Sequence, residues 1–185
     1  MNKKILTIFF LLCFGITPGQ TDCLNNVQIN QLGIEFCLPD LEWQIEEEDG
    51  LKFISFHKST FYLGTDTYTL RMEKVAQSCI PKEYFDKDWN VGMNIENYKT
   101  TVITEGPIEI NGKIFYYGKL KTNYNSNGKN KNSYSISYYY CENNVGYILS
   151  HVVSDETIDK WNEKESLSIF NTFKILKTPD LSILD

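Results

Sequence analysis

Residues 133–153, SYSISYYYCENNVGYILSHVV, predict two antiparallel β-strands that meet at Asn143-Asn144. Asparagine tolerates the backbone conformations of tight turns, and the side chains on either side alternate along each strand. A two-residue turn would pair strand 133–141 with strand 145–153, and paired residues point to the same face. The expected partners on one face are Tyr140 with Tyr147, Tyr138 with Leu149, Ile136 with His151, and Tyr134 with Val153.

The opposite face of this hairpin would carry Ser133, Ser135, Ser137, Tyr139 and Cys141. A four-residue turn would shift the partners but keep this division of the faces, whereas a three-residue turn would invert it. We interpret the run of three tyrosines as the aromatic wall of a core rather than as a reactive cluster, with Cys141 turned away from it.

Further strands are predicted on the N-terminal side of this hairpin from the same period-two alternation. Glu46 to Gly50 would form an acidic turn, and Asn111-Gly112 would form a two-residue hairpin turn. The polar residues 125–132, NSNGKNKN, are predicted to form a flexible loop. The predicted strand segments are GIEFCLP (33–39), LKFISFHK (51–58), TYTLRMEKV (67–75) and the two arms of PIEINGKIFYYGKLKTNY (107–124).

Two helices are predicted in addition to the strands. Residues 79–89, CIPKEYFDKDW, place Pro81 in a first turn and Tyr84, Phe85 and Trp89 on one face, with Gly92 just past the end. Residues 154–176 would form a second helix capped by Ser154 or Asp155, followed by a loose C-terminal tail. The expected fold class is α+β, a single layered domain in which two or more helices flank an antiparallel sheet.

The N-terminal residues MNKKILTIFFLLCFGITPGQ have the parts of a secretory signal peptide: two lysines, a twelve-residue apolar run and small residues. We expect cleavage after Gly19, which leaves a domain of residues 20–185; an uncleaved membrane anchor is the alternative. The expected location is periplasmic or secreted, with no stable membrane insertion once the signal is removed.

The charge and the cysteines fit this location. The chain has a net charge of −6, and loss of residues 1–19 removes two lysines and no acid, which gives −8. No basic block is visible in the sequence, so nucleic acids and anionic membrane surfaces are poor partners. Four cysteines remain, which allows three pairings in an oxidising compartment. We favour Cys23–Cys37 and Cys79–Cys141.

Two segments resemble a known family. LGIEFCLPDLEWQIEEED (32–49) is similar to the opening of PsbP-like domains, and ETIDKWNEKESLSIFNTFKIL (156–176) is similar to their final helix and the short strand after it. The resemblance covers most of residues 27–177. The family includes exported bacterial proteins of the DcrB type. It implies an antiparallel sheet flanked by helices in a non-catalytic accessory or binding protein, and it carries over no site residues.

The sequence holds little that indicates catalysis. His57 and His151 lie on predicted strands, where a histidine is more often a hydrogen-bonded core or rim residue than a base. The acidic runs fit turns and helix starts, and no metal site, cofactor motif or catalytic motif is present. A small exported enzyme that uses a histidine, alone or with Cys141, is the alternative, provided that a thiol stays free.

The predicted function is therefore an exported, non-catalytic accessory or binding module of the bacterial cell envelope, with an envelope or secreted protein as its partner. A purely structural subunit that needs its partner for stability is a further possibility. The candidate binding residues are Tyr117, Tyr139, Lys119 and Lys121, next to the 125–132 loop. These residues form an exposed surface only if no helix covers them, and coverage by a helix is the expected case.

Overall fold

The structure, a computed structural model, describes residues 23, 25–38, 43–48, 53–58, 66–93, 98–154 and 163–184; in 43–48, 53–58 and 90–93, and at residues 66, 163 and 165, only the backbone is described. The predicted signal peptide, residues 1–19, lies outside the described residues. The elements are β1 (Asn25–Ile29), β2 (Ile34–Leu38), β3 (Trp43–Glu48), β4 (Phe53–Lys58), β5 (Asp66–Lys74), α1 (Pro81–Met93), β6 (Tyr98–Ile110), β7 (Lys113–Ser126), β8 (Lys129–Glu142), β9 (Val145–Ser154), α2 (Glu163–Phe170), β10 (Lys174–Ile175) and a 3-10 helix (Leu181–Leu184).

The described residues are mostly antiparallel β-sheet with two short helices, so the sheet dominates more than the predicted helix-flanked arrangement implied. Seven strands form one sheet in the order β3-β4-β5-β9-β8-β7-β6, and β1, β2 and β10 form a second, smaller sheet. Of the helices in the described residues, none has the length and apolar character that a bilayer crossing requires.

The β8–β9 hairpin has the predicted register. Tyr140 pairs with Tyr147 and Ile136 with His151, and both turn asparagines have positive φ angles, 52° at Asn143 and 65° at Asn144. This alternation gives the large sheet two faces. We call the face with Tyr138 and its partner Leu149 the core face, and the face with the serines of β8 the serine face.

Several boundaries differ from the sequence prediction. Residues 125–132 are not a loop: β7 and β8 continue through them and turn at Asn127-Gly128, where φ is 53° and 75°. This pair supplies the same two-residue turn as Asn111-Gly112, so the polar composition marks exposed strands rather than a break in the ladder. Glu46–Glu48 lie within β3 and not in a turn, Gly92 lies inside α1, and β1 was not predicted.

The C-terminal region also differs. The described part of the second helix ends at Phe170, where the Thr172 hydroxyl bonds the Ile169 carbonyl at 2.6 Å, and the chain then forms β10. Of the two predicted caps, Ser154 ends β9, and Asp155 lies outside the described residues, as do residues 156–162. The predicted loose tail instead forms a 3-10 helix, and Leu184 is buried in the core.

The core face carries the main hydrophobic core. Tyr68, Leu70 and Met72 of β5 alternate inward as predicted, and all three are buried. The smaller sheet packs over them through Phe36 and its neighbours, and α2 contributes Phe170, whose ring meets Tyr68 edge-on at 5.8 Å. The core face is thus closed by a second layer.

Candidate functional site: a hydroxyl-lined groove on the serine face

Both cysteine pairs lie at disulfide distance, in the pairing favoured from the sequence. The sulfur atoms are 2.07 Å apart in Cys23–Cys37 and 2.15 Å apart in Cys79–Cys141. The second disulfide joins the residues just before α1 to the end of β8. A thiolate at Cys141 is therefore not present in this structure, and the Cys–His site considered from the sequence does not form.

His151 lies on the opposite face of the sheet from Cys141, which is a second reason that no dyad forms. Its ring is 1% exposed and stacks on Tyr68 with 4.2 Å between centroids. Its Nδ1 lies 2.6 Å from the hydroxyl of Ser166, which is buried in α2. This environment is that of a structural histidine packed in the core.

The backbone register places His57 on the opposite face of the sheet from His151. Phe56 pairs with Tyr68, and Tyr68 pairs with His151, so these three positions share one face of the sheet. Position 57 therefore falls on the alternate face. The side chain of His57 lies outside the described part of the structure.

The four candidate binding residues do not form one surface. Tyr117 pairs with Tyr138 and belongs to the core face, together with Lys119 and Lys121, whereas Tyr139 pairs with Tyr116 and belongs to the serine face. Tyr139 is 3% exposed because α1 covers it. The register therefore separates Tyr117 from Tyr139, and α1 covers Tyr139 as expected. Partner binding by these four residues stays a prediction.

Helix α1 covers only one end of the serine face. Phe85 packs on Gly118 so closely that an added Cβ would lie 2.3 Å from its ring, and a Cβ at Gly146 would lie 2.7 Å from the Tyr84 ring. The Phe85 ring also meets Tyr139 edge-on at 5.2 Å. Two glycines in the sheet therefore let the helix approach, and the Cys79–Cys141 disulfide fixes its start.

A polar cluster marks the boundary between the covered and uncovered parts of this face. Asp88 of α1 forms an ion pair with Arg71 of β5 and accepts a hydrogen bond from the Tyr139 hydroxyl at 2.8 Å. Burial, reinforced by the neighbouring Asp88 carboxylate, raises the pKa of Tyr139 well above its usual value. Burial is the largest single influence on the pKa of Arg71 and lowers it, but attraction and hydrogen bonding to Asp88, with smaller contributions from Tyr84 and Glu73, together outweigh burial, and the net shift is upward. Near neutral pH the Tyr139 hydroxyl therefore keeps its proton and Arg71 keeps its positive charge.

Beyond this cluster the serine face forms a groove of about 480 Å³, which is within the range of about 300–1,000 Å³ typical of ligand sites. Five strands contribute to its lining, together with the aromatic side chains Trp89 of α1 and Tyr98 of β6. Two hydroxyl pairs bridge the strands: Thr100 with Thr122 at 2.9 Å, and Ser150 with Ser137 at 2.7 Å. The hydroxyl side chains of the groove are Thr69, Thr100, Thr122, Ser135, Ser137 and Ser150.

The sequence predicted only the part of this groove that β8 contributes. The alternating serines of β8 were placed on the face away from the aromatic wall, and that is where Ser135 and Ser137 lie. Their neighbours Thr122 and Thr100 come from other strands, and a single sequence does not say which strands lie side by side. The strand order was needed to bring these hydroxyls together.

No family model matches this chain, and no curated protein does. Among solved structures it is similar to cyanobacterial PsbP (CyanoP) from Synechocystis sp. PCC 6803, with 8% identity and a TM-score of 0.61 over 83% of this chain and 92% of that one.

Two further solved structures have a similar fold. The Saccharomyces cerevisiae Ran-binding protein Mog1p is 14% identical with a TM-score of 0.56, over 88% of this chain and 100% of that one. LpqN, involved in cell envelope biogenesis of Mycobacterium tuberculosis, is 13% identical with a TM-score of 0.53, over 83% of this chain and 90% of that one. Likeness at these identities concerns the fold, and the chain has a PsbP/Mog1-like fold.

Proposed function

We propose that this chain is an exported, non-catalytic accessory module of the bacterial cell envelope that binds a protein partner. The observation that carries the proposal is the groove on the serine face. It offers paired hydroxyls and aromatic walls, and the charges at its boundary, Arg71 and Asp88, are already held against each other. Such a surface, with hydroxyls beside apolar side chains such as Leu120 and Ile148, is suited to contacting a protein partner rather than to activating a nucleophile.

Two other observations support the location and the partner class. Two disulfides persist only in an oxidising compartment, which favours export through the predicted signal peptide at residues 1–19. Among the proteins of similar fold, Mog1p is a Ran-binding protein and LpqN is involved in cell envelope biogenesis. The proposal takes from the first a protein partner and from the second an envelope setting.

Export is tested by expressing the chain with its own N-terminus and measuring the intact mass after alkylation under denaturing conditions without reductant. We expect the mass of residues 20–185 with no alkyl group, because cleavage follows Gly19 and all four cysteines are paired. A chain that keeps residues 1–19, or that takes up alkyl groups, contradicts export or the oxidised state.

Binding is tested by photo-cross-linking in the cells that make the protein. A photoreactive residue at Ser135, in the groove, is expected to capture a discrete protein partner. The matched control places it at Ser182, which is exposed in the 3-10 helix. Equal capture at both positions, or capture at neither, argues against the groove as the binding surface.

A further inference from the structure

The β7–β8 hairpin extends beyond the strand beside it. The last pair between β8 and β9 is Ser133 with Ser154, so in the described residues 123–126 and 129–132 pair only with each other and with the start of β6. At about 3.3 Å per residue, this extension projects roughly 13 Å past the end of β9. We call residues 98–101 and 121–134 the arm.

The arm is ordered by contacts between its own side chains. Asn123 bonds Asn132 and Asn125 bonds Asn130 across the hairpin, and the Gly128 amide donates to the Asn125 side chain at 3.1 Å. On the other face, the rings of Tyr98 and Tyr124 stack at 5.7 Å with 11° between their planes. A surface that is already ordered loses little conformational entropy when it binds.

The arm is also basic, although the sequence has no basic block. It contains four lysines and no carboxylate, because β6 brings Lys99 beside a hairpin that lies more than twenty residues away in the chain. The whole chain has a net charge of −6, so an arm of +4 leaves −10 on the rest. Lys99, Lys129 and Lys131 are exposed, and the Lys121 ammonium lies 5.6 Å from the Tyr134 ring centroid. A positive projection on an acidic body steers an acidic partner towards it.

The remaining side chains of the arm are of the kinds that recognise proteins. Every residue of the arm is exposed or half-buried, and apart from lysine the types are tyrosine, asparagine, serine, threonine and glycine. Tyrosine supplies contact area at low entropic cost, and asparagine and serine supply adaptable hydrogen bonds, as in antibody loops. We propose that the arm is a docking element for an acidic protein surface, an inference that rests on the proposed function of a partner-binding module.

The positions of the lysines favour a protein over a membrane. Lys99 and Lys121 lie on one face of the arm, with Asn123 and Tyr134, whereas Lys129 and Lys131 pair with Ser126 and Tyr124 on the other. A flat bilayer reaches only one face of a projecting hairpin. A protein partner with a cleft can contact both faces, so all four charges contribute only in that case.

The test titrates the isotopically labelled full-length exported protein with poly-L-glutamate and follows the backbone amide resonances. The expected shifts are confined to the arm, and the binding weakens as salt is added because the attraction is screened. The variant Lys99→Glu/Lys129→Glu/Lys131→Glu is expected to bind about tenfold more weakly or worse. The matched control, Lys87→Glu/Lys164→Glu/Lys177→Glu, reverses three exposed lysines outside the arm and makes the same change in net charge; it is expected to bind within about twofold of the parent.

Equal weakening in both variants overturns the proposal, because total charge and not the arm would then set the affinity. The absence of any arm-specific shift with poly-L-glutamate also overturns it. Stronger binding to phosphatidylglycerol vesicles than to poly-L-glutamate would replace the protein partner with a membrane. If sedimentation shows that the protein self-associates and the arm variant abolishes this association, the partner of the arm is a second copy of this chain rather than an acidic protein. None of these outcomes depends on export, so failure here is distinguishable from failure of the mass and cross-linking tests.

Discussion

The two faces of the large sheet come from the same strands, yet they are completed in different ways. On the core face, Tyr68, Tyr147 and their neighbours are sealed by α2 and the smaller sheet, and His151 is stacked within that layer. On the serine face, α1 covers one end and a groove lined by hydroxyls remains beside it in the described residues. Alternation along β8 and β9 therefore separates two surfaces: one parity supplies the core, and the other lines a groove of hydroxyl and apolar side chains.

The largest expected effect is the loss of an aromatic side chain from the core face. Phe115→Ala should lower the free energy of unfolding by about 3–5 kcal/mol, because Phe115 is 1% exposed and packs against Tyr140 at 4.8 Å. Ser135→Ala, on the serine face, should change it by less than about 0.5 kcal/mol. Urea unfolding of both variants measures the difference. Similar losses in the two variants would mean that the groove contributes to stability as the core does.

The sequence was sufficient for the register and for the faces of the central hairpin. Asn143-Asn144 sets a two-residue turn. Period-two alternation then predicts the cross-strand pairs from Tyr134 with Val153 to Tyr140 with Tyr147. The same alternation placed the buried residues of β5. These features depend on contacts close in the chain, where spacing alone determines which side chains share a face.

The sequence was not sufficient for features that depend on strand order. The groove needs Thr100 beside Thr122 and Ser137 beside Ser150, and the basic arm needs Lys99 beside the β7–β8 hairpin. The grouping of Tyr117 with Tyr139 on one surface needed the same information, because the β7–β8 register places them on opposite faces. Residues 125–132 looked like a loop because exposed strands and loops share a polar composition.

The close packing of α1 on the serine face gives a second test of how the two faces of the large sheet differ. Gly118→Ala should destabilise the protein by about 1–3 kcal/mol, because the new Cβ would lie 2.3 Å from the Phe85 ring. Gly106→Ala is the matched control in the neighbouring strand, since its nearest side-chain atom is 3.6 Å away on Tyr117. We expect it to be neutral or stabilising by less than about 1 kcal/mol. Thermal and urea unfolding compare the two, and equal stability would mean that α1 shifts away at little cost.

A smaller effect, on the pH dependence of stability, is expected from a buried tyrosine of the core face. Burial, with a lesser contribution from Tyr117, raises the pKa of Tyr138 to about 12, against about 10 in an unfolded chain. Between these values the unfolded state has released the proton and the folded state has kept it, so stability falls as the pH rises above about 10, and below that pH the contribution is fully present.

The slope expected from one such group is about 1.4 kcal/mol per pH unit. Tyr138→Phe keeps the ring against Phe170, 5.1 Å away between centroids, and removes the titrating hydroxyl, so its stability should decline less steeply in alkali. Urea unfolding across the alkaline range measures the slope for the parent and for Tyr138→Phe. An equally steep decline in both proteins would mean that burial of the Tyr138 hydroxyl on the core face is not the cause.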